Sequence, residues 1–197
     1  KENPAVSSLM ENIYPEAELA FAENEDKRYL VWVDDNPVRD ALNRTQLRLS
    51  VQKDGVWSEP VFAFDDGSAD FSPVMAATED GVLMAWHNIA YGISEAEGLE
   101  EMLKASEIAV TQDVYRAGGD IPAFVNLTDD EKLDHSPMLV SDGRKALLVW
   151  TKSEDASLDT EEKAPEDRLY FAVWSNGVWS EAQALDDEYG TILDTHL

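Results

Sequence analysis

Gly55-Val56-Trp57-Ser58-Glu59 recurs letter for letter as Gly177-Val178-Trp179-Ser180-Glu181, 122 residues further along the chain. A perfect copy of a tryptophan-containing stretch points to an internal repeat, and that displacement fits two units of about 60 residues. A middle copy exists in degenerate form. The pairs Asp65-Asp66, Asp129-Asp130 and Asp186-Asp187 follow one another at steps of 64 and 57. Asp70-Phe71-Ser72-Pro73 and Asp134-His135-Ser136-Pro137 are again 64 apart. The apolar runs ending at Trp32, Trp86 and Trp150 put a tryptophan in register three times, at steps of 54 and 64.

Working outward from these anchors, each unit reads as four strands. The first follows the proline or its counterpart (17–21, 74–77 and 138–141), and the second is the tryptophan-ending run, apolar on both faces and therefore buried. The third alternates (46–52, 107–112 and 169–173), and the fourth carries Val-Trp-Ser or its counterpart over 121–127. Short glycine turns separate first from second strands (Asp80-Gly81, Asp142-Gly143) and third from fourth (Asp54-Gly55, Gly118-Gly119, Asn176-Gly177), as antiparallel hairpins require. A four-stranded meander repeated at this length is a β-propeller blade, which buries its faces only against its neighbours. The expected fold is all-β: about three antiparallel propeller blades with one short helical insertion. The segments are a lead-in over 1–14, blades over 15–67, 68–131 and 132–190, and the start of a further blade over 191–197. Rings close with four to eight blades, so further blades or a second copy of the chain are expected to complete this one.

At the Trp-Ser-Glu elements and the Asp-rich links, the chain resembles divergent propeller repeats of bacterial exported and surface proteins, a sialidase-like or Asp-box-like group. Lys53-Asp54-Gly55-Val56-Trp57 departs from the wider spacing of an Asp box. The resemblance would imply an arginine trio, a tyrosine nucleophile and an acid-base carboxylate in a sialidase. No arginine falls at equivalent blade positions, so that activity is not carried over.

Composition narrows the function. Of 197 residues, 44% are hydrophobic, and 41 Asp and Glu against 15 Lys and Arg give a net charge of −26. That field repels nucleic acid and anionic lipid, and no segment has the roughly 20 apolar residues of a membrane span. The absence of cysteine excludes disulfides and thiolate chemistry. Together with the resemblance, it suggests a bacterial extracellular or surface setting.

The loops from second to third strands (34–45, 87–106 and 152–167) are long while the hairpins stay short, so one face is elaborated and is the expected binding face. Ser94 and Glu97 have capping-box spacing ahead of Leu99, Met102 and Leu103, which predicts a short amphipathic helix over 95–105 packed on that face. The third loop, rich in Asp and Glu over 154–167, reads as a solvated segment.

Asp65, Asp66, Asp70, Asp129, Asp130, Asp134, Asp186 and Asp187 recur in the inter-blade links. Carboxylates so placed either shape turns or supply oxygen ligands to calcium. Trp57 and Trp179 lie on outer strands, where they either pack between blades or stack on sugar rings, and His87 beside a core tryptophan is a candidate ligand contact or a structural histidine. No Ser-His-Asp arrangement, phosphate loop or zinc-binding helix appears. The expected function is a non-enzymatic propeller module binding a protein or glycan through the acidic face. Two alternatives stand beside it: a fragment of a propeller glycoside hydrolase or lyase, and a calcium-stabilised spacer.

Overall fold

The repeated Asp-Gly and Asn-Gly pairs form the tightest turns. Asp54 and Gly55 take φ of 53° and 78°, and Asn176 and Gly177 take 52° and 82°. Two successive left-handed residues make the hairpin turn whose twist matches that of the flanking strands, and Asn, Asp and Gly are the residues that tolerate it. Beyond each turn, the serine of the repeated motif explains its own recurrence. Ser58 Oγ accepts from Val51 N (3.1 Å), and Ser180 Oγ accepts from Val173 N (3.0 Å), so the hydroxyl continues the ladder where the outer strand bends away.

The computed structural model describes residues 8–11, 13, 14, 17–25, 27–95, 97–154 and 167–185. Blade 1 comprises β1 (Leu19–Asn24), β2 (Lys27–Asp35), β3 (Thr45–Lys53) and an outer strand broken into β4 (Val56–Trp57) and β5 (Val61–Phe62). Blade 2 comprises β6 (Asp70–Thr78), β7 (Gly81–Ile89), β8 (Ser106–Thr111) and β9 (Phe124–Asn126), with helix α1 (Gly98–Lys104) in the connection from β7 to β8. Blade 3 repeats blade 1 with β10 (Leu133–Ser141), β11 (Lys145–Ser153), β12 (Asp167–Ser175), β13 (Val178–Trp179) and β14 (Gln183–Ala184). Each is an antiparallel meander in chain order. Among the described residues, no helix is long and apolar enough to cross a membrane.

The innermost strands β1, β6 and β10 lie side by side, and the core forms between blades. One cluster joins Val31, Leu49 and Tyr29 of blade 1 to Met84 and Trp86 of blade 2. The other joins Leu83 and Ile108 of blade 2 to Leu148 and Trp150 of blade 3. The seams are also pinned by polar contacts. Glu79 N donates to Gly143 O (2.8 Å), Ala117 N donates to Tyr29 Oη (3.1 Å), and Asn24 Nδ2 donates to Thr78 O. At Gly81 a methyl would run into the Tyr115 carbonyl and come within 2.9 Å of Val114, so this glycine serves close packing.

Several boundaries differ from the sequence reading. The first strand of blade 1 starts at Leu19 and runs to Asn24, and the helix covers Gly98–Lys104 only. Its capping residues spend themselves one turn earlier: Glu97 Oε2 takes both the amide (2.8 Å) and the hydroxyl (2.5 Å) of Ser94. The largest difference concerns Asp70 and Asp134, expected in links but found inside β6 and β10. The strands begin before the proline because Ser72-Pro73 and Ser136-Pro137 form β-bulges, two residues opposing one tryptophan, with the serines at φ of 46° and 53°. A bulge tolerates proline because the ladder is already broken there.

The outer faces of blades 1 and 3 keep apolar side chains in view. Leu19 and Phe21 are 63% and 51% exposed, and Val140 is 40% exposed. Leu9, Met10 and Ile13 approach the blade 1 face near Leu19, Leu30 and Trp32 around a pocket of about 150 Å³.

Candidate functional site on the loop-bearing face

The connections from β2 to β3 and from β7 to β8 share one face with the starts of the inner strands β6 and β10. Here the two bulges set up a repeated device. Trp86 Nε1 donates to Asp70 Oδ1 (2.7 Å), and Trp150 Nε1 donates to Asp134 Oδ1 (2.6 Å). Both aspartates are wholly buried. Burial raises the pKa of Asp70 well above the carboxylate range, with Asp66 adding to the rise, and pushes Asp134 to about 7. They anchor the core tryptophans and do not face solvent. Trp32 lacks this acceptor among the described residues.

Of the other link carboxylates, Asp65, Asp66 and Asp130 are engaged locally. Asp65 pairs with Arg39 and accepts from Gly67 N (3.1 Å), while Asp66 accepts from Ser68 N (2.9 Å) and Oγ (2.5 Å). Asp130 accepts from Lys132 N (2.9 Å) and from Lys152 Nζ (2.5 Å), and Asp129 is exposed. Among the described residues, no three His, Asp or Glu side chains gather as a metal site. Asp186, Asp187 and His196, with most of the acidic third loop, lie outside the described residues.

The two repeated outer tryptophans are half-buried. Trp179 packs toward blade 2 and donates from Nε1 to Thr111 O (3.0 Å), so it serves the seam between blades. Trp57 holds the equivalent place on blade 1, paired with Gln52.

A concavity with an aromatic wall and a polar rim lies between blade 2 and α1. It is a cleft of about 400 Å³ walled by Phe71, His87, Ile89, Met102 and Leu103, with Glu18 and Ser72 at its rim. The rim is fixed by Glu18, whose Oε2 accepts from Ser72 N (2.6 Å) and Oγ (3.1 Å). The bulge is what aims that amide outward from the sheet. Below the cleft, Ile89, Ile93 and Ala105 form a small core that seats Met102 and Phe71. Asn43 fastens the two neighbouring loops by exchanging hydrogen bonds with Ile93 O (2.8 Å) and Ile93 N (2.9 Å). Sequence reasoning named His87 but missed Phe71, Ser72 and Glu18 as its companions. The positions following Asp70 are the signal that would have found Phe71 and Ser72.

His87 leans on Phe71, ring centroids 5.4 Å apart, and its Nε2 is sealed from solvent without a hydrogen-bond partner among the described residues. Burial and nearby His135 depress its pKa to about 4. A histidine depressed from about 6.5 contributes stability that is present above pH 6.5 and lost as pH falls toward 4. Asp134, raised to about 7, acts oppositely over the same interval, because its contribution is lost as pH rises through 7. The expected result is that His87→Gln loses less stability than the parent between pH 7 and pH 4.5, by up to about 3 kcal/mol. Urea unfolding at the two pH values checks this, and identical losses would refute it.

No protein-family model matches the chain, and no curated protein does. Solved structures do resemble it. An α-L-arabinanase of Penicillium chrysogenum complexed with arabinobiose superposes with a TM-score of 0.55 at 12% identity, over 88% of this chain and 50% of that one. A variant α-L-arabinofuranosidase of Fusarium graminearum, bound to an iminosugar inhibitor, gives a TM-score of 0.55 at 6% identity over 87% and 50%. The fold is a β-propeller. This chain spans about half the length of those two proteins, and neither is named as a sialidase or as bacterial, so the likeness supports the propeller and not the finer assignment.

Proposed function

We propose that this chain is a ligand-binding propeller unit whose cleft beside α1 takes a glycan, without itself carrying out hydrolysis. The observation that carries this reading is the cleft itself, about 400 Å³ with the rings of Phe71 and His87 in its wall. The surrounding chemistry suits a sugar: Phe71 offers a ring face to C–H groups, while Glu18 and Ser72 offer polar partners at the rim. The arabinobiose held by one structural neighbour makes it the first ligand to try.

Hydrolysis requires two carboxyl groups about 5 to 9 Å apart flanking the bond to be cut. Glu18 is the single carboxylate lining the cleft among the described residues. Asp70 and Asp134, with pKa values raised as an acid catalyst's would be, are wholly buried behind tryptophan rings. A second reading, half of a glycosidase whose other carboxylate comes from further blades, is favoured by the half-length overlap with an α-L-arabinanase and an α-L-arabinofuranosidase.

Calorimetric titration with arabinobiose decides between them. Binding by the parent chain is expected, with His87→Ala and Phe71→Ala each weakening it at least about tenfold, a loss of ~1.4 kcal/mol. Absence of binding by a folded parent chain would overturn the reading, and release of free arabinose would favour the glycosidase.

A further inference from the structure

The three blades bury a polar side chain at one equivalent position, two residues after the core tryptophan: Asp34, Asn88 and Lys152. Each lies at the end of a second strand on the loop-bearing face, where a charge must find a partner inside the fold. Blade 1 solves this with Asp34 and Arg48, 2.8 Å apart. Blade 3 solves it with the Lys152 ammonium, 2.5 Å from Asp130 Oδ2 and 3.3 Å from Asp134 Oδ2, lying over the Tyr170 ring.

Blade 2 repeats the two carboxylates of blade 3 but not the ammonium. Asp66 and Asp70 correspond to Asp130 and Asp134, and Asn88 stands where Lys152 stands. The Asn88 amide nitrogen donates to Asp66 Oδ2 (3.2 Å) and Asn126 Oδ1 (3.0 Å), which leaves its oxygen over. Asp70 gives Oδ1 to Trp86 and leaves Oδ2 over. Asp70 and Asn88 are cross-strand partners in the β6–β7 ladder, both are 0% exposed, and neither leftover oxygen has a hydrogen-bond partner among the described residues. Two acceptor oxygens buried on paired residues beside a second carboxylate are a repulsive arrangement as they stand. Burial outweighs the help that Asp70 receives from the Leu47 amide and from Arg39, which is itself bonded to Asp65 and the Ser68 carbonyl.

We propose that blade 2 binds one calcium-type cation in the position that the Lys152 ammonium fills in blade 3. Asp70 Oδ2, Asn88 Oδ1 and Asp66 supply the protein oxygens, and water completes the shell from the side where Asp66 is exposed. Two carboxylates and an amide oxygen are hard donors that match calcium and disfavour softer metals. The same logic assigns no cation to the Asp129-Asp130 link, because Lys152 already occupies it.

The test uses the full chain, freed of metal by chelator and titrated calorimetrically with calcium chloride, with Asn88→Lys measured alongside. A chain this acidic also collects calcium weakly over its surface, and Asn88→Lys registers that background while supplying the missing ammonium from within. The expected result is one site per chain in the parent above the background, absent from Asn88→Lys. Without calcium, Asn88→Lys is expected to melt at a higher temperature than the parent.

Should Asn88→Lys not fold, Asp70→Asn keeps an oxygen for the Trp86 N–H and removes the metal's charge, and calcium binding is expected to weaken at least tenfold. Equal calcium isotherms for parent and variants would overturn the proposal. So would a parent chain whose melting temperature ignores calcium but falls as pH rises from 5 to 8, because a proton on Asp70 would then hold the place of the metal.

Discussion

Trp86→Ala is expected to cost about 3–5 kcal/mol from lost packing alone, with a further penalty because Asp70 loses the N–H that faces it. Trp86 is fully buried, stacks on Phe64 at 4.6 Å between ring centroids and meets Phe124 at 5.2 Å, so its removal opens the seam between blades 1 and 2. Domains of this size have total stabilities of about 5–15 kcal/mol, so the variant should unfold at far lower urea or fail to fold cooperatively. Trp86→Phe separates the two contributions. It keeps a stacking ring while it removes the indole donor and leaves a smaller void than alanine does, and about 1–3 kcal/mol is expected for that change. Urea midpoints followed by far-ultraviolet circular dichroism measure both. A Trp86→Ala chain within 1 kcal/mol of the parent would show that the tryptophan register does not hold the blades together.

Lys152→Met is expected to be nearly as damaging at pH 8, about 3–5 kcal/mol, because it strips the cation from buried Asp134 and leaves the volume almost unchanged. The more exposed Asp130 contributes least to that loss. The effect should shrink as pH falls. Asp134 already has a pKa pushed up to about 7, mainly by burial and against the pull of Lys152, so removing the lysine raises it further. A carboxyl raised in the folded state carries stability that is present below about pH 4 and lost as pH rises through its folded value. At pH 5 the variant's Asp134 is therefore neutral, and the gap from the parent should narrow by well over half. A gap that stays constant from pH 5 to pH 8 would mean that Lys152 acts through packing.

The architecture was legible because repetition and turn chemistry agree at several places. Gly55-Val56-Trp57-Ser58-Glu59 encodes a left-handed turn residue, an outer strand and a serine that bonds back to the third strand, and its copy encodes the same. The site was less legible. Asp70 and Asp134 sit beside Ser-Pro, which reads as a turn, and nothing local reveals that a bulge lets the strand run through it. The signal was long-range: each aspartate precedes its tryptophan by 16 residues, the spacing of a hairpin that brings the two together. The cleft was hidden for a different reason. Glu18 and Ser72 meet across a blade boundary, and a chain read one blade at a time gives no means of pairing them.

Among the described residues, blade 2 packs against a neighbour on each side, and β8 is buried along its whole length. In a stack where each unit leans only on the next, opening begins at the flanks. Amide exchange should therefore be fastest in the outward ladders of blades 1 and 3 and slowest in β7 and β8, so that the molecule unzips toward its middle. The cleft and the Asp66-Asp70-Asn88 pocket both belong to that last-opening segment, which keeps their geometry while the periphery breathes.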